Sequence, residues 1–133
     1  MEPSPQRHHT MTSQGTAHGR FTRALARRHL NAAEMAAREM GGLSLEEALS
    51  LCALMAELDP ARYERAALRW LQRFIDERLP PLAEVALAAS ALSEVRHGDR
   101  AVGIETLRRL HRSFLTRGLF RTGVKEIEKV CHG

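Results

Sequence analysis

Four arginines recur every three or four residues between positions 62 and 73, and they are the chain's clearest candidates for binding chemistry. They are Arg62, Arg65, Arg69 and Arg73. On a helix, which turns by about 100° per residue, these side chains lie within about 80° of one another and form a stripe. A guanidinium donates hydrogen bonds through a planar fork that matches phosphate and carboxylate oxygens. The stripe therefore predicts recognition of a nucleic-acid backbone or of an acidic partner.

A second basic cluster follows later in the chain, at Arg108, Arg109 and Arg112. Both clusters have a simpler explanation, because the solvated face of an amphipathic helix carries charges at this spacing. Glu64, Asp76 and Glu77 also reduce the positive field around the stripe. The net charge of +4 is mild, and a GC-rich genome would account for the excess of arginine over lysine. The basic residues thus form either a functional surface or an ordinary solvated face.

The sequence lacks the residue groupings typical of catalysis and of metal binding. It contains no Gly-x-Ser-x-Gly nucleophile motif and no glycine-rich phosphate loop. Glu94 and His97 match half of a helical di-iron motif, which needs two such pairs. Cys131 and His132 are adjacent rather than spaced as zinc ligands. We therefore expect a protein that is not an enzyme and that uses no metal and no other cofactor.

The elements that must position the stripe are two capped helices joined almost directly. Ser44 followed by Glu47 predicts a capping box at the start of the first helix. Asp59 and Pro60 then supply an N-cap and a first-turn residue for the second helix. Because this joint is so short, the two helices must fold back on each other as an αα-hairpin. The stripe lies on the second helix, opposite its aromatic side.

The whole chain predicts an all-α fold of about five helices, arranged as an antiparallel bundle or as a short stack of helical hairpins. The hairpin supplies the helices over 45–58 and 60–78. Periodicity and stop signals predict the other three over 20–40, 82–96 and 100–117. The helix over 82–96 is the most apolar, so we expect it to be the most buried.

Composition divides the chain into three parts. Residues 1–19 are polar and predict a disordered N-terminal tail, with translation starting at Met1 or at Met11. Residues 20–117 form the helical domain, and no run of about 18 apolar residues predicts a membrane span. Residues 118–133 predict a short amphipathic helix that docks on a partner or on a second copy of the chain. Its apolar residues are Val124, Ile127 and Val130.

Two stretches resemble known helical proteins. Residues 53–63, Ala-Leu-Met-Ala-Glu-Leu-Asp-Pro-Ala-Arg-Tyr, resemble the junction between tetratricopeptide repeats, although the Trp-Leu-Gly-Tyr pattern of that repeat is absent. Residues 19–112 resemble small helical proteins of high-GC actinobacteria, for example in Ala33-Glu-Met-Ala-Ala-Arg-Glu-Met-Gly and Tyr63-Glu-Arg-Ala-Ala-Leu-Arg-Trp-Leu. The second resemblance implies a helical fold and a bacterial cytoplasm, and it implies no activity.

These features predict a non-catalytic protein–protein interaction module, an adaptor or a regulator, in a bacterial cytoplasm. Its partner would be another protein or a second copy of the chain in a homo-oligomer. The alternative is a nucleic-acid-binding protein that uses the arginine stripe on the helix over 60–78, the third predicted helix of the chain. Cys52, in an apolar helix, and Cys131, near the end, do not make a disulfide framework, which fits a reducing compartment.

Overall fold

The computed structural model describes residues 16–117, with side chains from 16 to 112. All regular structure in this range is helical, without any strand, so the all-α prediction is confirmed. We label the helices α1 (Ala17–Ala26), α2 (Leu30–Met40), α3 (Leu45–Leu58), α4 (Pro60–Arg78), α5 (Leu82–His97) and α6 (Arg100–Arg117). Residues 1–15 of the predicted N-terminal tail and the predicted helix after residue 117 lie outside the described residues. Residues 17–19 were also predicted to belong to the disordered tail, and this was wrong, because they form the first turn of α1.

The described range contains six helices, so the expected number of about five was wrong. The difference arises because the single helix predicted over 20–40 is two helices, and the first of them begins at Ala17. Arg28 stops α1 by adopting a left-handed conformation with a φ of 59°. The Arg28 N–H then donates to the Leu25 carbonyl and the His29 N–H to the Ala24 carbonyl. This pair of bonds is the Schellman arrangement that closes a helix C-terminus.

The side chain of His29 starts the next helix at the same place. Its Nδ1 accepts a hydrogen bond from the Ala32 N–H, at 3.3 Å, and His29 thereby acts as the N-cap of α2. Neither an arginine in the left-handed region nor a histidine cap is among the residue types that usually mark a helix boundary. The boundary between α1 and α2 could therefore not be predicted from the sequence.

The predicted hairpin of α3 and α4 is confirmed. The Ser44 hydroxyl accepts from the Glu47 N–H at 3.1 Å, and the Glu47 carboxylate accepts from the Ser44 N–H at 2.9 Å, so the capping box is present. Only Asp59 separates the two helices. The Trp70 indole N–H of α4 donates to the Leu45 carbonyl at the start of α3, at 2.8 Å, which holds the two helices antiparallel.

A first compact unit ends at Trp70, and its described core includes an apolar cluster between α1 and α2 and another between α2 and α3. The cluster between α1 and α2 comprises Phe21, Ala24, Ala33 and Ala36. The other joins Leu30 of α2 to Leu54 and Met55 of α3, and Ala66 of α4 packs against it. Because small residues dominate the first cluster, α1 and α2 approach closely. This packing places α2 beside the beginning of α4.

A second compact unit begins at Leu71 and contains the hairpin of α5 and α6. The two helices meet through Gly103, where an added Cβ would lie only 2.6 Å from the Ala91 carbonyl oxygen and 2.7 Å from Val95 Cγ2. Glycine therefore permits this close approach. Around it lie the buried residues Ala88, Ala91, Leu92 and Val95 of α5, with Ile104, Leu107 and Leu110 of α6.

The expectation that the helix over 82–96 would be the most buried was wrong. Leu82 is 83% exposed and Leu87 is 49% exposed, while the buried residues of α5 all lie on one side of the helix. The sequence is apolar around most of the helix, but among the described residues only one side is covered. Apolar composition on its own therefore overestimated the burial of α5.

Candidate functional site

Arg62, the first arginine of the stripe, is fully engaged with carboxylates of its own chain. Its two Nη atoms donate to the Glu34 carboxylate at 2.8 and 3.1 Å, and its Nε donates to Asp59 at 2.6 Å. These hydrogen bonds and charges raise the pKa of the Arg62 guanidinium above its ordinary range. Arg62 therefore ties α2 to the joint between α3 and α4 and offers little positive charge to a ligand.

Arg73, the last arginine of the stripe, belongs to the second unit. Its Nε donates to the Glu77 carboxylate one helical turn further on, at 2.8 Å. This is an ordinary surface pair of residues four apart, with a side-chain exposure of 39% for Arg73 and 42% for Glu77. The two ends of the predicted stripe are thus both neutralised.

The two central arginines, Arg65 and Arg69, remain available. Both are exposed, and within the described part of the chain neither makes an ion pair or a hydrogen bond through its side chain. They lie one turn apart on α4, so about 5–6 Å separates their Cβ atoms. The structure therefore reduces the predicted stripe to a pair of unpaired guanidinium groups.

This pair borders an open surface groove of about 550 Å³. The groove is lined by Glu34, Met55, Ala61, Arg62, Glu64, Arg65, Ala66, Leu68 and Arg69. Met55 and Ala66 provide an apolar floor between α3 and α4. Leu68 stands beside the arginines and is 59% exposed. The groove thus combines an apolar strip with two cationic forks, which is chemistry suited to an anionic, partly apolar ligand.

Sequence reasoning missed the apolar part of this groove. Leu68 was not predicted to be a site residue. The sequence did contain a signal for it, since Leu68 places a large apolar side chain within the charged face of α4. Met55 and Ala66 gave no such signal, since their spacing is that of ordinary core residues. Their contribution depends on how α3 and α4 pack.

Cys52 is a potential nucleophile that feels the positive charge of Arg69, and its burial keeps it unreactive. It is buried in the apolar core. Burial raises the pKa of the Cys52 thiol to about 11, and the positive charge of Arg69 only partly opposes this rise. Because the thiolate is the reactive form, Cys52 is inert near neutral pH.

The second basic cluster is organised around a single carboxylate. Arg109 Nε donates to Glu105 at 3.2 Å, and an Arg112 Nη lies 3.8 Å from the same carboxylate oxygen. Arg108 also has an interaction partner. Shared pairing of this kind leaves less charge for a ligand than the sequence suggested. The cluster belongs to the second unit, whereas all the residues that line the groove belong to the first.

Several histidines and acidic residues of the described range have local structural roles. Glu94 accepts from the Asp99 N–H at 2.7 Å and so closes the turn between α5 and α6. His111 and Arg78 form a hydrogen bond of 3.2 Å, with the arginine as donor. Among the described residues no group of three or more His, Cys, Asp or Glu side chains is placed to hold a metal.

The remaining docking residues predicted from sequence, Val124, Ile127 and Val130, lie outside the described residues. Within the described range, no helix is both long enough and apolar enough to cross a membrane. No family model matches the chain, and searches of the curated proteins and of the solved structures found no match.

Proposed function

We propose that this protein is a non-catalytic interaction module, in a bacterial cytoplasm, that binds an acidic segment of a partner protein in the groove on α4. One observation carries the proposal: the unpaired Arg65 and Arg69 stand beside the exposed Leu68 above an apolar floor. The guanidinium groups can orient a bound partner by pairing with its carboxylates, and the adjacent apolar strip can bury apolar surface of that partner. Protein interfaces combine these two contributions.

The spacing of the two arginines defines the partner's chemistry. They are one helical turn apart, so a partner helix with carboxylates at positions i and i+4 matches them. An apolar side chain on the same face of that helix would then contact Leu68 and the floor formed by Met55 and Ala66. The preferred ligand is therefore an acidic amphipathic helix laid along α4.

The pairing of the outer arginines weakens the alternative of nucleic-acid binding. Affinity for a nucleic-acid backbone rises with the number of phosphates neutralised by free cations. Arg62 is held by two carboxylates and Arg73 by one, so two of the four arginines contribute little. Leu68 also has no role in a backbone contact, whereas it is central to a protein interface.

A pull-down from native lysate, with nuclease-treated and untreated halves, tests the proposal. The variants are Arg65→Glu with Arg69→Glu, and separately Leu68→Ala. We expect a protein partner that survives nuclease treatment, is lost with the arginine variant and is weakened about tenfold or more by Leu68→Ala, since about 1.4 kcal/mol corresponds to a factor of ten.

The same experiment identifies the competing function. Bound nucleic acid that is lost with the arginine variant, is retained by Leu68→Ala and falls steeply with salt would replace the protein-docking proposal with backbone binding. A protein partner that binds wild type and both variants equally would show that the groove is not the interface.

A further inference from the structure

The α4 groove contains a carboxylate that has no partner within the described part of the chain. Two acidic residues line the groove, Glu34 and Glu64. The Glu34 carboxylate accepts hydrogen bonds from both Nη atoms of Arg62. Glu64 is exposed, and among the described residues its side chain makes neither an ion pair nor a hydrogen bond. The groove therefore offers one free negative charge beside the two free arginines.

Glu64 and its neighbours form two parallel rows on α4. Glu64 and Leu68 are one helical turn apart and make the first row, and Arg65 and Arg69 make the second. Because the helix turns by about 100° per residue, the rows are about 100° apart around its axis. The buried side chains of this part of α4 lie on the opposite side, and they are Tyr63, Ala67 and Trp70. A helix laid along α4 can therefore contact both rows at once.

A partner that is acidic on its whole contact face does not fit both rows. Its carboxylates would pair with the arginines of the second row, but a carboxylate opposite Glu64 would be repelled. An apolar side chain at that point would remove water from Glu64 and give nothing in exchange. A basic side chain would instead form a pair with Glu64. The groove therefore favours a mixed charge pattern over a purely acidic one.

We propose that Glu64 determines the specificity of the α4 groove, by selecting an acidic helix that carries one basic residue beside its two carboxylates. This inference rests on the proposed function. In an antiparallel complex, where the partner's helix dipole opposes that of α4, the partner's apolar residue at position i contacts Leu68. Carboxylates at i+1 and i+5 then meet Arg69 and Arg65, and the base at i+4 meets Glu64.

Two synthetic helical peptides that differ at one residue test the inference. One contains Leu-Glu-Ala-Ala-Lys-Glu, and the other contains Leu-Glu-Ala-Ala-Glu-Glu. In fluorescence anisotropy at physiological salt, wild type should bind the lysine peptide about fivefold more tightly, since a pair with Glu64 replaces a repulsion. The protein's net charge of +4 would by itself favour the other peptide.

Glu64→Gln should abolish this preference. Because the same two peptides are used with every protein, a difference in peptide helicity affects all of the proteins equally. The matched control is Glu77→Gln, which changes the net charge by the same amount on the same helix but outside the groove. This control should keep the preference of wild type.

The outcomes separate this inference from the proposed function. Equal affinity of wild type for both peptides, lost in Arg65→Glu with Arg69→Glu, would overturn selection by Glu64 and leave the acidic-helix groove in place. A preference that persists in Glu64→Gln would overturn the selection as well. Absence of binding, or binding that the arginine variant retains, would contradict the groove as a site for an acidic helix and this inference with it.

Discussion

Arg28 is the residue on which the boundary between α1 and α2 depends. Its φ of 59° is one of two left-handed conformations at non-glycine residues in the described range, and the other is at Leu79. A Cβ in this region is sterically unfavourable by about 1–2 kcal/mol. The Arg28 side chain compensates by binding both oxygens of the Glu57 carboxylate on α3. Arg28 therefore combines an unfavourable backbone with a contact that joins two helices.

Glycine and alanine at position 28 separate these two effects. Both substitutions remove the contact with Glu57, but only glycine also removes the Cβ. We expect Arg28→Gly to be more stable than Arg28→Ala by about 1 kcal/mol in chemical denaturation. Equal stabilities for the two variants would show that the backbone at this position is not strained.

Cys52 gives a prediction for the alkaline side of the pH scale. Burial raises the pKa of its thiol from 9.0 to about 11. The unfolded chain therefore releases this proton at a lower pH than the folded chain does. The contribution to stability is complete below pH 9 and is lost as the pH rises towards 11.

Comparison with Cys52→Ala isolates this contribution. Between pH 8 and pH 10.5, wild type should lose about 1–2 kcal/mol more unfolding free energy than Cys52→Ala does, because one pKa unit corresponds to about 1.4 kcal/mol. The absolute stabilities will differ because the variant leaves a cavity, so the measured quantity is the pH dependence. Parallel pH profiles would contradict the burial of the thiol.

At the scale of elements, the packing of α5 on α6 depends on the absence of a side chain at Gly103. In Gly103→Ala the new Cβ would lie 2.6 Å from the Ala91 carbonyl oxygen, so the helices must separate. We expect a loss of about 1–3 kcal/mol, although alanine favours a helix over glycine by about 1 kcal/mol. Hydrogen exchange in α5 and α6 measures this loss.

Gly19→Ala is the matched control for that substitution. Gly19 also lies in a helix, but an added Cβ there would meet its nearest neighbour, Arg23 Nη1, at 3.4 Å. The control should be neutral or slightly stabilising. Equal destabilisation by both substitutions would point to a general loss at helical glycines rather than to the close contact of α5 and α6.

The elements also show which structural features the sequence could predict. The cap at Ser44 and the joint at Asp59 were predictable because their signals are local and use the usual residue types. The break at Arg28 was not, because it uses an arginine where glycine is usual. The partial exposure of α5 was not predictable either, because composition indicates how apolar a helix is but not which of its sides are covered.

The candidate site follows the same division. Helical periodicity placed the four arginines on one face, but it could not say which of them were free. Arg62 is neutralised by Glu34, which is 28 residues away in the sequence, so its pairing depends on how α2 packs beside α4. Arg73 is paired with Glu77 only four residues away, and that pairing could have been predicted.

At the scale of the whole molecule, net charge offers a rival explanation for any binding by this basic chain. The protein carries +4 at neutral pH, and such a charge attracts acidic partners without any specific site. Arg65→Glu with Arg69→Glu changes the charge by −4, from +4 to 0. Loss of binding in that variant is therefore ambiguous on its own.

Arg109→Glu with Arg112→Glu resolves the ambiguity, because it also brings the net charge from +4 to 0. Both of its sites are exposed and belong to the cluster around Glu105. At physiological salt the Debye length is about 8 Å, so charges far from the interface are largely screened. If the α4 groove is the interface, the Arg109/Arg112 variant should therefore keep an affinity within about threefold of wild type. The Arg65/Arg69 variant should lose at least about a hundredfold in affinity. Isothermal titration at physiological salt with the captured partner measures both. Equal losses would mean that the partner responds to the charge of the whole molecule, and the groove would then have no specific role.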